Sequence, residues 1–221
     1  MIDLVLFDFD GTLADTAPDL AAVANRQRNE RGLPDLPLAV LRPLASQGAR
    51  GLIGRALGLV PGDREFESLR EQFFDYYDAA LAVHTRLFPD IDRLLAELEA
   101  AGKRWGIVTN KIARFTTPIV RALHLEQRAT CVVCGDTLAY TKPHPAQLLH
   151  ALDLGETTAD RAVYVGDDLR DVQAARAAAM RSVIAAYGYL GADEDIEQWG
   201  GDHTISQPLD LLDWIRAADA A

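Results

Sequence analysis

Leu4-Val5-Leu6-Phe7-Asp8-Phe9-Asp10-Gly11-Thr12-Leu13 decides how the rest of the chain is read. Its unbroken apolar run predicts a strand over 3–8 that is buried on both faces, because a strand with one wet face alternates. Two carboxylates then leave the carboxyl end of that strand, and Gly11 permits a tight turn. In an open α/β sheet, ligands bind in the crevice beyond the carboxyl ends of the strands. Asp and Thr also build ordinary turns, but two acids aimed into one crevice repel each other and require a positive group. A hard divalent cation with oxygen ligands meets that requirement.

Further strands are predicted at 104–109, 130–134, 161–166 and 181–186, with a weaker one at 202–205. Amphipathic stretches near 90–101, 112–123, 145–153, 169–179 and 208–217 lie between or after them. Such alternation predicts an α/β fold, a doubly wound parallel sheet with helices on both faces. Residues 16–84 break the pattern and carry only helical periodicity, at 18–31, 37–45, 48–58 and 64–82. Arg31-Gly32-Leu33-Pro34 and Val60-Pro61-Gly62-Asp63 supply the loops between them. The reading is therefore a core domain of 1–15 and 88–221 with an inserted all-helical cap domain of 16–87. Its linkers fall near 15–18 and 84–89.

The other predicted strand ends carry chemistry too. Thr109-Asn110-Lys111 follows the second strand, and a hydroxyl with backbone N–H groups at a helix start can hold a phosphate oxygen. The same residues also make a common helix cap. Thr141-Lys142-Pro143-His144-Pro145 holds Lys142 on a rigid turn, with His144 read as structural. Gly166-Asp167-Asp168-Leu169-Arg170-Asp171 places Asp167 and Asp171 four residues apart, hence on one helix face. Cys131 and Cys134 are the only cysteines. A zinc site needs a second pair, and residues three apart on a strand point to opposite faces, so buried thiols are expected.

The 221 residues fit one compact domain with an insertion. Hydrophobic residues make up 49% and charged residues 25%, the balance of a soluble globular enzyme. A formal net charge of −11 disfavours nucleic acid and anionic membrane surfaces as partners. The N-terminus lacks the basic segment of a signal peptide, and no apolar run approaches membrane-spanning length, so a cytoplasmic chain is expected, as a monomer or a homodimer.

The ordered set Asp8-Phe9-Asp10-Gly11-Thr12, Thr109-Asn110, Lys142-Pro143 and Gly166-Asp167-Asp168 with Asp171 strongly resembles the haloacid dehalogenase superfamily of phosphatases. The resemblance covers nearly the whole chain and implies a Rossmann-like core. The cap position, Val-Thr-Asn-Lys and Lys-Pro-His-Pro are similar to the phosphoglycolate phosphatase branch. Phe88-Pro89-Asp90 departs from it where Pro-Gly is common. The resemblance implies Mg²⁺, Asp8 as nucleophile and Asp10 as acid and base. It implies a metal held by Asp8, Asp167 and the Asp10 backbone carbonyl, with Asp171 supporting the metal waters or Lys142. Thr109, Asn110 and Lys142 would bind the phosphoryl group. Gly48-Ala49-Arg50-Gly51 lies where the family places a substrate-facing loop, so Arg50 is expected to touch a substrate carboxylate or oxygen.

The implied substrate is a small phosphorylated metabolite of the 2-phosphoglycolate type. Val83-His84-Thr85-Arg86-Leu87-Phe88, Asn110-Lys111 with Arg114-Phe115, and Tyr187-Gly188-Tyr189 with Gln198-Trp199-Gly200 also resemble the N-acetylmuramic acid 6-phosphate phosphatases of cell-wall recycling. A phosphomutase shares all four motifs. A receiver-like phosphotransfer module is typically half this length and has no place for the insertion.

Overall fold

The computed structural model describes residues 1–191 and 195–220. Strand β1 (Leu4–Phe7) is fully buried, and its alternating side chains feed two separate cores. Val5 and Phe7 point to one face, Leu4 and Leu6 to the other, as the two-residue period of a strand demands. Six parallel strands form the sheet in the order β5-β4-β1-β6-β7-β8, with β4 at Arg104–Val108, β5 at Val132–Val133, β6 at Ala162–Gly166, β7 at Arg181–Ala185 and β8 at His203–Ile205. On β1, Leu4 pairs with Arg104 on one side and with Ala162 on the other. The strand order reverses across β1, so the crevice beyond its carboxyl end is the topological switch point.

Helices α5 (Ile91–Ala100), α6 (Ala113–Ala122) and α9 (Asp210–Ala220) cover the face of Val5 and Phe7. Helices α7 (Ala146–Leu154) and α8 (Leu169–Ala177) cover the other. In α5, Ile91, Leu94, Leu95 and Leu98 are buried, the i, i+3, i+4, i+7 stripe of a helix packed on one side. Cys131 and Cys134 are free and buried; burial raises the Cys131 thiol to about 11, so it behaves as a small apolar residue.

Between β1 and β4 lie α1 (Ala17–Asn29), α2 (Leu38–Leu41), α3 (Gly48–Leu57) and α4 (Phe66–Asp78). Where one helix is predicted over 37–45, α2 stops at Leu41 and a 3-10 segment runs from Arg42 to Gln47. Pro43 lacks the N–H that a continuing α-helix would donate. The sequence reading also lacks the two-residue strands β2 (Ala14–Asp15) and β3 (Arg86–Leu87), which pair antiparallel. They hold together the two connections of the helical block, and at two residues they are too short for any periodicity to mark them. Asp90 has φ 64° at the start of α5, a backbone that glycine adopts freely and Asp tolerates. That conformation fits the Pro-Gly that the resemblance leads one to expect at this point.

Candidate active site

The carboxyl ends of β1, β4 and β6 bring Asp8, Thr109 and Asp167 together at the switch point, and the loop before α7 delivers Lys142. The Lys142 side chain is only 2% exposed; its Nζ lies 2.9 Å from Asp8 Oδ1 and 2.7 Å from Asp171 Oδ1. It also donates to the Tyr164 hydroxyl at 2.7 Å and the Val108 carbonyl at 3.2 Å. Burial works against an ammonium here, but the charges of Asp171 and Asp8 outweigh it and leave the Lys142 pKa raised. Its backbone is clamped as well. Asn110 Nδ2 donates to the Lys142 carbonyl at 2.9 Å, while the Lys142 N–H donates to Asn110 Oδ1 at 3.0 Å and to Gln147 Oε1 at 3.0 Å. The Asn110 side chain thus positions Lys142. Thr109 is buried, and its Oγ1 accepts the Lys111 N–H at 3.2 Å.

Asp8, Asp167 and Asp171 each present a carboxylate oxygen, all within 4.8 Å of one another. Asp171 therefore stands inside the acid group rather than only behind it. Thr12 Oγ1 donates to Asp167 Oδ1 at 2.9 Å and the Tyr189 N–H to Asp167 Oδ2 at 2.8 Å. The turn after β1 packs directly on this acid: a Cβ on Gly11 would lie 2.1 Å from Asp167 Oδ2, and its φ is +86°. Asp171 takes the Asp168 N–H at 3.1 Å as part of the capping box of α8.

These residues fit a hard divalent cation. Three carboxylates face one ammonium, and Asp8 Oδ1 is enclosed without an aligned hydrogen bond despite the nearby lysine. Burial, then Asp8 and Asp171, hold the Asp167 carboxyl well above the usual range. Burial also pushes Asp171 up to about 7, with Lys142 opposing and Asp8 adding. Buried acids that resist ionisation for want of positive charge suit an oxygen-seeking cation.

Asp10 is not one of the three clustered acids. Its carboxylate accepts from Thr16 Oγ1 at 2.5 Å and is held at 3.2 Å from both oxygens by Lys111 Nζ. Burial disfavours the Lys111 charge, yet Asp10 and Tyr77 outweigh that and raise its pKa. Lys111 Nζ lies 4.7 Å from the centre of the Tyr77 ring. Sequence reasoning assigned Lys111 no role; its place directly after Thr109-Asn110 was the available signal. Tyr164 carried no local signal, and Tyr189 stood only within the Tyr187-Gly188-Tyr189 stretch of the resemblance, with no role assigned. Tyr189 donates its N–H to Asp167, while its hydroxyl oxygen accepts the N–H groups of Thr16 and Ala17 at 2.6 and 2.9 Å, so one residue ties the acid group to the start of α1.

A cavity of about 280 Å³ opens over these residues, close to the lower end of small-molecule pockets at roughly 300 Å³. Asp8, Asp10, Thr109, Asn110, Lys142 and Asp171 all line it. Asp167 lies beneath it, buried at 2% exposure. Arg50 is exposed on α3 and stands outside the lining, whereas its neighbour Ala49 belongs to it. Arg170 lines it instead, locked on Asp168 at 2.8 and 2.7 Å. His144 stacks on Tyr140 with ring centres 4.5 Å apart and accepts the Ala146 N–H at 3.2 Å, a structural post outside the cavity lining.

This arrangement has close counterparts. The chain is 44% identical to a phosphoglycolate phosphatase of Xanthomonas campestris pv. campestris, with 97% of this chain and 96% of that one aligned. It is 38% identical, over the same shares, to an N-acetylmuramic acid 6-phosphate phosphatase of Pseudomonas putida. The crystal structure of a predicted phosphoglycolate phosphatase from Haemophilus somnus superposes with a TM-score of 0.84 at 28% identity, covering 97% of this chain and 98% of that one. The model of the haloacid dehalogenase-like hydrolases matches residues 5–185, and with the strand-end acids and the lysine in place the chain belongs to that family of hydrolases.

Proposed function

We propose that the protein is a Mg²⁺-dependent phosphomonoester phosphatase that works through an aspartyl-phosphate on a small metabolite. The observation that carries this reading is the Lys142 ammonium held between Asp8 and Asp171 at the edge of an unneutralised acid group. A carboxylate can attack a phosphate dianion only where positive charge offsets their repulsion. Mg²⁺ bound by Asp8 and Asp167, with the Asp10 backbone carbonyl and Asp171 alongside, would supply most of that charge. Asp8 attacks phosphorus as the bond to the leaving oxygen breaks, and Asp10 gives that oxygen a proton. Asp10 then takes a proton from the water that opens the acyl phosphate. Lys142, Thr109 and the Asn110 backbone hold the phosphoryl oxygens, and Lys111 and Thr16 keep the Asp10 carboxyl in one orientation.

The helices of 16–87 act as a cap over the cavity, excluding water during the first transfer. The relatives favour 2-phosphoglycolate as substrate. The second reading, N-acetylmuramic acid 6-phosphate, is supported by the 38% identical phosphatase of that name. Release of phosphate from a panel of phosphomonoesters, with and without Mg²⁺, tests both. Absence of turnover on every member would sink the phosphatase reading, and the member with the highest kcat/KM names the substrate.

A further inference from the structure

The loop after β7, Tyr187-Gly188-Tyr189, takes no part in the reaction proposed above. It is nonetheless pressed against the acid group: a Cβ on Gly188 would lie 2.3 Å from Asp167 Cβ and 2.6 Å from the Gly11 carbonyl oxygen. From there Tyr189 reaches two ways. Its N–H is committed to Asp167, and its buried hydroxyl makes three hydrogen bonds where the chain enters the helical block. The oxygen accepts the N–H groups of Thr16 and Ala17, and the proton goes to Asp15 Oδ1 at 2.9 Å. A hydroxyl offers one donor and two acceptor lone pairs, and all are used here.

The start of α1 depends on that hydroxyl. The first N–H groups of a helix have no partner within it, and the usual remedy is the side chain of the N-cap residue. That residue is Thr16, which makes no side-chain cap bond; its hydroxyl is given to Asp10 instead. Pro18 has no N–H, and those of Thr16 and Ala17 both go to Tyr189, 173 and 172 residues away. Thr16 is thus free to hold Asp10 because a distant phenol caps the helix in its place. The helical block grips the same point. Arg42 binds both carboxylate oxygens of Asp15 at 2.8 and 2.9 Å, and its guanidinium lies 5.7 Å from the centre of the Tyr189 ring. Phe88, on the return connection, packs with its ring centre 6.0 Å from that of Tyr189.

We propose that Tyr189 is a positioning residue that couples the acid group to Asp10: ordering of Asp167 by a cation is passed through the Tyr189 backbone and phenol to the start of α1, where Thr16 holds the Asp10 carboxyl. The proposal rests on the phosphatase reading and adds the route by which the metal-binding side of the site and its acid–base side are kept in register. A tyrosine suits the task, because its two χ angles leave the hydroxyl little freedom relative to its own backbone.

Tyr189→Phe removes only the hydroxyl and keeps both the ring and the N–H on Asp167. The test reads amide hydrogen exchange at Thr16 and Ala17 by NMR, with Mg²⁺ binding followed in parallel by calorimetry. In the native chain, saturating Mg²⁺ should slow exchange at both amides by about tenfold; Tyr189→Phe should bind Mg²⁺ within about twofold as tightly and lose that slowing. Mg²⁺ that binds without changing exchange in the native chain, or slowing that survives in Tyr189→Phe, overturns the proposal. A second arm needs no metal and leaves the phenol in place. In EDTA, Asp167→Ala should speed exchange at Thr16 and Ala17 by about tenfold more than at Ala24, which is buried further along the same helix. Equal acceleration at Ala24, or none at Thr16 and Ala17, overturns the proposal whether or not Mg²⁺ binds, whereas an absence of Mg²⁺ binding counts against the phosphatase reading and leaves this arm to decide.

Discussion

The two walls of the cavity are built from different chemistry. The strand-end wall carries four carboxylates and three cations, with Asp167 beneath them. The wall from the helical block carries Ser46, Tyr77, Phe73 and Phe74 and no charge. A phosphoryl group is the same in every phosphomonoester and always anionic, so the groups that handle it are ionic and rigidly placed on strand ends. The organic part varies, and the wall opposite the charges is correspondingly uncharged. On this contrast reaction type and substrate choice are expected to be separable, and several measurements can break that separation.

The largest effect belongs to the ionic wall. Asp8→Asn keeps the shape but removes the attacking charge, and turnover should fall by about 10³-fold or more on every ester, with an unchanged circular dichroism spectrum. A variant that retains a tenth of wild-type turnover would remove Asp8 from the chemistry. Next comes the cation. EDTA should silence the enzyme and Mg²⁺ restore it, while Mg²⁺ at about 100 times its Kd should stabilise the fold by about 2.7 kcal/mol. That gain, read by thermal melting, should shrink in Asp167→Ala; an equal gain in the variant would place the metal elsewhere.

The metal-free protein offers a pH test of the same wall. Asp171 is raised to about 7 in the fold from about 3.9 in an unfolded chain. A raised carboxyl binds more protons in the folded state, so its contribution is fully present below about pH 4 and is lost as pH rises through about 7. Asp167 is raised as well and acts in the same direction. In EDTA the melting temperature should therefore drop between pH 5 and 8, and Mg²⁺ should remove the drop. A flat profile in EDTA would mean that the acids are already neutralised by the protein itself. The smallest effect is expected at Arg50→Ala, less than about twofold in kcat/KM on any ester, because this side chain is exposed and outside the cavity. A tenfold rise in KM there would show that the uncharged wall borrows a charge when substrate is bound.

Legibility in the sequence followed the range of the interactions. Asp8, Thr109 and Asp167 could be read because each ends an apolar run, and a run of one residue type is a local signal. Asp171 could be read from its spacing to Asp167. Lys111 could not be assigned, because its partner Asp10 lies 101 residues away. Tyr164 reads as one more apolar strand residue until its hydroxyl is found against Lys142. Arg50 shows the converse: its helix was expected near the substrate, and the helix does reach the cavity, but through Ala49. A one-position shift on a helix turns a side chain by about a quarter-turn, which no motif resolves.

The parallel sheet, the helical insertion between its first two strands and the strand ends where acids gather were all legible in the linear pattern of residues. Those follow from periodicity and residue type over a few neighbouring positions, where local geometry leaves few choices. Which acid meets which cation, and that Asp171 joins Asp8 and Asp167, emerges only when segments far apart in the chain are packed together. Such pairings depend on the relative placement of segments far apart in the chain, and electrostatic and hydrogen-bond energies change over a fraction of the distance that a packing shift can move them.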